Sequence, residues 1–193
     1  MRTIVANNKT PWLGGNIQGG DEMTYFPQLW DFLIQRYSPK VICDIGCGEG
    51  HLMNYFHKKG VKVFGTDGLQ ENKDNAPKTI KEYITVHDYT TGPALPVDAD
   101  MVISCEFVEH VEAKYLDNYL IQLIDCKTLV LTHALPGQGG YHHVNCRESK
   151  YWIDTIQIFG LKLSPATELA RKLAVKHDKI LWQTVLIFDR HGK

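Results

Sequence analysis

The sequence predicts an α/β domain built on a mostly parallel sheet, and three observations carry that expectation. Short β-rich runs alternate with helical stripes along the chain; the first of those runs breaks into glycines before entering a helix; and glycine and proline keep several crossovers short.

Taken in order, Gly14, Gly15, Gly19 and Gly20 make the first stretch irregular backbone, a lead-in or a lid over whatever site follows. Phe26, Leu29, Trp30, Leu33, Ile34 and Tyr37 recur at helical spacing, and Ser38-Pro39 ends that helix. A strand at 41–45 then turns through glycines into a helix carrying Leu52, Met53 and Phe56. Lys59-Gly60 closes the helix and a strand at 61–66 follows, giving a right-handed βαβ unit. Further strands are expected at 83–86, 101–105 and 128–132, with a helix striped by Val111, Tyr115, Leu116, Tyr119, Leu120 and Leu123 before the last of these. Asn75, Pro77, Gly92, Pro93 and Pro96 trim the intervening crossovers. After a helix at 151–159, runs at 161–163 and 180–188 predict two final strands separated by a charged segment containing Arg171, Lys172 and Lys176. They would form an antiparallel pair at the sheet edge.

With 193 residues, 44% hydrophobic and 22% charged, the chain suits one domain over 1–193, with 1–22 as the lead-in or lid. Lysine plus arginine (21) nearly balances aspartate plus glutamate (22), so a nucleic-acid partner is not expected and a small-molecule substrate is. No apolar run approaches the roughly 18–20 residues of a membrane helix, and the first ten residues lack a signal-type stretch, so no membrane partner and a cytoplasmic location are expected. Oligomeric state is left open. The five cysteines include no C-x-x-C pair, which disfavours a zinc knuckle and a disulfide framework; Cys43 and Cys105 read as small core residues.

The most informative stretch is Asp44-Ile45-Gly46-Cys47-Gly48-Glu49-Gly50, which leaves a strand and enters a helix, the place where open α/β sheets bind ligands. Gly46, Gly48 and Gly50 let the backbone turn sharply and approach a ligand. Asp44 and Glu49 would repel a pyrophosphate and complement a cationic, phosphate-free nucleoside, and the third glycine misses the dinucleotide spacing G-x-G-x-x-G. Asp67, followed by Gly68 at the end of the second strand, is placed to accept from a ribose diol, and Asp88, after the third strand, from an adenine amino group. Each has a plainer reading as turn or capping chemistry.

These residues resemble the class I S-adenosylmethionine-dependent methyltransferases. The likeness is carried by D-I-G-C-G-E-G at 44–50, Asp67, His87-Asp88, and Ser104-Cys105-Glu106-Phe107-Val108-Glu109-His110-Val111. It implies a Rossmann-like, seven-stranded sheet with one antiparallel strand near the C-terminal edge and helices on both faces. It also implies S-adenosyl-L-methionine along the carboxyl ends of the first four strands and direct in-line methyl transfer, with catalysis by proximity and a base only where the acceptor needs one. The cofactor-binding residues expected are Asp44, Gly46, Gly48, Gly50, Asp67, Gly68, Asp88 and Glu106.

Glu106, Glu109 and His110 fall at i, i+3 and i+4, which would set them on one helix face. In some relatives a similar E-x-x-E-H stretch with a later histidine, here His142 or His143, resembles a divalent metal site. A metal is an alternative that the sequence does not favour over metal-free work by His110 and His143 as catalytic residues. His143 lies on a glycine-rich loop, and an imidazole's intrinsic pKa of about 6.5 suits a base. The activity expected is O-methylation of a small molecule or sugar. The alternatives are a cofactor-binding protein without transferase activity and an NAD-dependent oxidoreductase.

Overall fold

The computed structural model describes residues 4–6 and 9–190. Two short strands, Ile4–Ala6 (β1) and Gly15–Ile17 (β2), pair antiparallel near the N-terminus. The body then runs through Pro27–Tyr37 (α1), Val41–Ile45 (β3), His51–Lys58 (α2), Lys62–Asp67 (β4), Gln70–Asn75 (α3), Ile84–Val86 (β5) and Ala99–Ser104 (β6). It continues through Leu116–Ile124 (α4), Cys126–Leu131 (β7), Ser149–Gln157 (α5), Leu161–Leu163 (β8), Ala166–Lys176 (α6) and Leu186–Arg190 (β9).

Seven strands form one sheet in the order β5-β4-β3-β6-β7-β9-β8. Every pairing from β5 to β7 is parallel, and β9 runs antiparallel to both β7 and β8, so a single reversed strand lies next to the edge. This is the α/β, Rossmann-like arrangement expected from the sequence. The strands read as near-continuous apolar runs because both faces are covered. Ile42, Met101, Ile103, Val130 and Ile187 enter one core with Leu29 and Leu33 of α1, Met53 and Phe56 of α2, and Ala170 and Ala174 of α6. Their neighbours Cys43, Val102, Leu129, Leu131 and Phe188 enter the opposite core with Tyr119 and Leu123 of α4 and Trp152 and Ile156 of α5. This alternation is the period-2 side-chain pattern of strands, and each large buried side chain contributes roughly 2–3 kcal/mol of apolar burial.

Three elements differ from expectation. The charged segment near Arg171 is a helix, α6: Ala166, Ala170 and Ala174 make a narrow buried stripe at i, i+4 and i+8, and the charges occupy the solvent side. The run at 180–188 is split, with a 3-10 turn over Ile180–Thr184 that buries Trp182 before β9 begins at Leu186. Helix α4 starts at Leu116, so Val111 lies on the preceding turn, although it is buried as the stripe demands. No helix among the described residues is long and apolar enough to cross a membrane.

From β3 the chain passes outward to β4 and β5 and returns across the sheet to β6, so the strand order switches between β3 and β6. Open α/β sheets have their crevice at the carboxyl ends of such a pair.

Candidate functional site

A cavity of about 780 Å³ opens at that switch point, walled by the glycine turn after β3, Asp67 at the end of β4, the 105–111 turn after β6 and the N-terminal strap 12–25. The glycine turn is fixed by the backbone: the amides of Gly46 and Cys47 both donate to Thr66 O, at 2.9 and 3.0 Å. Gly46 holds φ +77°, and a Cβ there would also strike Phe107, so this position needs glycine on both counts.

Asp67 is the most constrained carboxylate in the wall. Its Oδ2 accepts from Gly48 N at 2.8 Å, and its Oδ1 accepts from Leu69 N at 2.9 Å and from Asn72 Nδ2 at 2.8 Å. Burial raises its pKa, and these donors work against that rise. Asp44 is as deeply buried without such help: burial, then the neighbouring Asp67 charge, pushes it up to about 8, and no hydrogen bond among the described residues offsets this. Burial therefore favours the protonated form of Asp44, and a cation beside it would favour the ionised form. Glu49 is already engaged, both of its oxygens accepting from Gly19 N of the strap at 3.1 and 3.2 Å.

Across the cavity, the turn after β6 is not the helix that the E-x-x-E-H spacing suggested. Glu106 sits at φ +51°, a conformation no α-helix continues through, and one tight turn closed by His110 N to Phe107 O at 3.0 Å follows it. The side chains nonetheless converge. One ligand atom each from Glu109, His110 and His143 lie within 4.8 Å of one another. Glu109 is fully buried, and neither of its oxygens has a hydrogen-bond partner of good geometry among the described residues. Burial, then the adjacent Glu106 charge, holds Glu109 well above the usual carboxylate range, and burial also raises Glu106.

The two imidazoles are oriented by carbonyl oxygens, which can only accept. His110 Nδ1–H donates to Tyr141 O at 2.9 Å and His143 Nδ1–H to Gln138 O at 3.2 Å, leaving the Nε2 lone pair on each ring. The rings meet edge to face with centroids 5.0 Å apart. Burial, then the nearby His143, lowers His110 to about 4, so it stays neutral at ordinary pH. His142 adds a further buried Nε2 without a partner among the described residues.

Of the residues singled out from the sequence, Asp44, Gly46, Gly48, Asp67, Glu106, His110 and His143 line the main cavity. Gly68 and Asp88 line a small adjoining cleft that shares Trp12, Leu13, Phe107 and Val111 with it. There Asp88 accepts from Trp12 Nε1 at 3.0 Å and from Thr90 N and Oγ1 at 2.8 and 2.7 Å, the turn chemistry that was its plainer reading. Gly50 lines neither; it starts α2 at φ +75° and lies against Ile80. Sequence reasoning missed Asn72, Lys179 and Trp182, which line the cavity without any motif to announce them, and Thr132, which holds Glu106 from β7's end.

Residues 43–123 match a family model described as a methyltransferase domain. No curated protein matches the sequence. Among solved structures, the fold is similar to a TehB-like SAM-dependent methyltransferase from Corynebacterium glutamicum, with a TM-score of 0.58 and 18% identity over 86% of this chain and 90% of that one. It is also similar to magnesium protoporphyrin IX methyltransferase from Synechocystis with bound SAM, at TM-score 0.58 and 17% identity over 72% and 68%. The [4+2]-cyclase SpnF has the same fold at TM-score 0.56 and 12% identity over 88% and 85%.

Proposed function

We propose that the chain is a class I S-adenosylmethionine-dependent methyltransferase that methylates a hydroxyl group of a small molecule or sugar held against the Glu106–His110 turn; the methyltransferase-domain model over residues 43–123 and the shared fold support the first part. The observation that carries the acceptor side of this reading is the cluster of lone pairs on Glu109, His110 and His143: the two imidazoles line the same cavity as the glycine turn, and Glu109 is buried behind them.

S-adenosylmethionine is the cofactor, and when bound it supplies a methyl group on a positively charged sulfur. The residues present fit it. Gly46 and Gly48 keep the wall free of side chains where a nucleoside must lie close, and Asp67 offers its remaining acceptor capacity to the ribose hydroxyls. Asp44 and Glu106 supply negative charge toward the cationic end. Gly68 and Asp88, in the adjoining cleft, border the adenine edge, and Gly50 acts indirectly by shaping the turn. On the acceptor side His143 is the base, its Nε2 lone pair fixed by the Gln138 carbonyl. His110, held neutral, is too weak a base to compete and serves as a lone-pair donor that positions the acceptor.

The buried, unpartnered Glu109 carboxylate favours a second layer to this reading. Two imidazoles whose Nδ1–H groups are tied to carbonyls, beside a carboxylate with both oxygens unsatisfied, have the donor set and outer-sphere arrangement of a divalent metal site. In that arrangement His143 would be a ligand instead of the base: Glu109, His110 and His143 would hold the ion, with Glu106 alongside, and its chemistry there would be to acidify the acceptor hydroxyl.

Methyl-labelled cofactor incubated with pools of hydroxylated metabolites and sugars, with and without Mn²⁺, tests the proposal. Label appearing on an oxygen, more of it with Mn²⁺, is the expected result; label on nitrogen or carbon overturns the acceptor class. Tight binding of S-adenosylhomocysteine with no label moved would favour the alternative of a cofactor-binding protein without transferase activity. That alternative draws support from the fold shared with a [4+2]-cyclase.

A further inference from the structure

Glu106 is one of few non-glycine residues with positive φ among those described, and its amide and its carboxyl are both held by one atom. Thr132 Oγ1, one residue past the end of β7, accepts from Glu106 N at 2.8 Å and donates to Glu106 Oε1 at 2.9 Å. A hydroxyl has one proton to give and lone pairs to accept with, and here it does both toward a single residue. Thr132 is itself immovable: it is fully buried, and its amide donates to Ser104 O at 3.0 Å, prolonging the β6–β7 ladder by one rung.

We propose that Thr132 is a positioning residue, its hydroxyl clamping the left-handed turn at Glu106 so that the Glu106 carboxyl is presented to the cavity beside Glu109. The geometry supports this over a purely structural role. A buried threonine that only filled space would need its methyl group packed and its hydroxyl satisfied by any neighbour. This hydroxyl instead bonds both ends of one residue, which fixes backbone and side chain together. Left-handed backbone is costly for a residue with a Cβ and persists where surroundings over-determine it, and such strain collects at functional sites. The clamp joins the sheet, the most rigid part of the molecule, to a turn that has no regular hydrogen bonding of its own.

The inference rests on the proposed role of the Glu106–His143 cluster, and its test separates the two. Thr132→Val keeps the shape and removes the hydroxyl; Thr132→Ser keeps the hydroxyl. Amide hydrogen exchange reads the clamp directly: exchange at Glu106 should be at least about tenfold faster in Thr132→Val and unchanged in Thr132→Ser. Mn²⁺ titration followed by electron paramagnetic resonance reads the consequence, with affinity falling about tenfold or more in Thr132→Val and returning to within about threefold in Thr132→Ser, the range for groups that orient ligands. Faster exchange with unchanged Mn²⁺ affinity would make the clamp structural only and overturn the proposal, as would unchanged exchange. Should the wild-type protein bind no Mn²⁺, the metal reading fails; the same pair of variants is then judged on S-adenosylhomocysteine affinity by calorimetry. A loss in Thr132→Val that Thr132→Ser restores upholds the proposal, and equal affinities reject it. Melting temperatures confirm that each variant is folded.

Discussion

Three donors within 2.9 Å surround the Asp67 carboxylate, two of them backbone amides, whereas the Glu109 carboxylate, buried behind the opposite wall of the cavity, has none of good geometry. Both groups are buried acids at or just beyond the carboxyl ends of parallel strands, and burial raises the pKa of each. The difference is in what compensates them. Asp67 is part of the architecture that shapes its own turn, so the fold itself depends on it. Glu109 gives nothing to the fold that a neutral residue would not give better, and an uncompensated buried carboxylate is a cost that calls for a function.

Substituting one carboxylate at a time should pull these cases apart. The largest effect is expected for Glu109→Gln, which should lower Mn²⁺ affinity by about a hundredfold or more, while the melting temperature holds or rises. The pH dependence follows from the raised pKa. The ionised form is disfavoured in the folded protein, so the unfolded chain loses the proton first and wild-type stability falls as pH climbs above the usual carboxylate range. Glu109→Gln should flatten that decline. A variant that melts much lower and still binds Mn²⁺ would make Glu109 structural. Asp67→Asn should do the reverse and damage both properties. Charge-assisted hydrogen bonds contribute about 1.5–3 kcal/mol, so S-adenosylhomocysteine should bind about 10- to 100-fold more weakly by calorimetry. The melting temperature should fall too, because Gly48 and Leu69 lose a charged acceptor.

The same division governs what could be read from the sequence. The geometry of the glycine turn was legible because backbone chemistry imposes residue types: Gly46 must have a positive φ and no Cβ, and an acid at a strand end must meet the amides of the next turn. The acceptor side was legible in composition but not in geometry. E-x-x-E-H has helical spacing, and the reason it is not helical is a hydroxyl 26 residues away at Thr132, which no local pattern reports. Helix α6 was hidden because its buried face is made of Ala166, Ala170 and Ala174, which periodicity weighs little against the charges between them. The strap was read as irregular, whereas Gly15–Ile17 pairs antiparallel with Ile4–Ala6, and its place over the cavity depends on Gly19 reaching Glu49; both are pairings between distant residues.

Gly140 sharpens the comparison from the acceptor side. It has ordinary backbone, but a Cβ there would run into the His143 ring, so the loop is built around the imidazole. Gly140→Ala should displace His143 and weaken Mn²⁺ binding about tenfold, with little change in S-adenosylhomocysteine affinity. Equal loss of both would show that the two sides of the cavity are one cooperative unit. Asp44 provides the matching experiment on the cofactor side. With a pKa of about 8, it must give up its proton to face the ligand's ammonium group, so S-adenosylhomocysteine affinity should climb about fivefold between roughly pH 6.7 and 7.5. The calorimetric enthalpy should vary with buffer as a proton is released, and Asp44→Asn should abolish both dependences. An affinity flat with pH in the wild-type protein would mean that the ligand's cation does not approach Asp44.

The smallest effect is expected where the strap meets the glycine turn. Glu49 holds Gly19 N with both oxygens and lies 3.5 Å from His51 Nε2, and further ties run from Trp182 Nε1 to Thr24 O at 2.9 Å and from Lys179 Nζ to Glu22 O at 2.6 Å. Little of the strap is buried: Gly14 alone is fully enclosed between residues 9 and 25, so these polar ties rather than packing hold it down. Segments held in this way open readily, which is what a lid over a cofactor requires. Glu49→Gln replaces a charged acceptor with a neutral one and leaves the other ties intact. S-adenosylhomocysteine should therefore dissociate about two- to fivefold faster in stopped-flow measurements, with its association rate and the melting temperature nearly unchanged. An equal slowing of association would mean that Glu49 attracts the ligand directly instead of latching the strap, and would move it from the lid to the electrostatics of the turn.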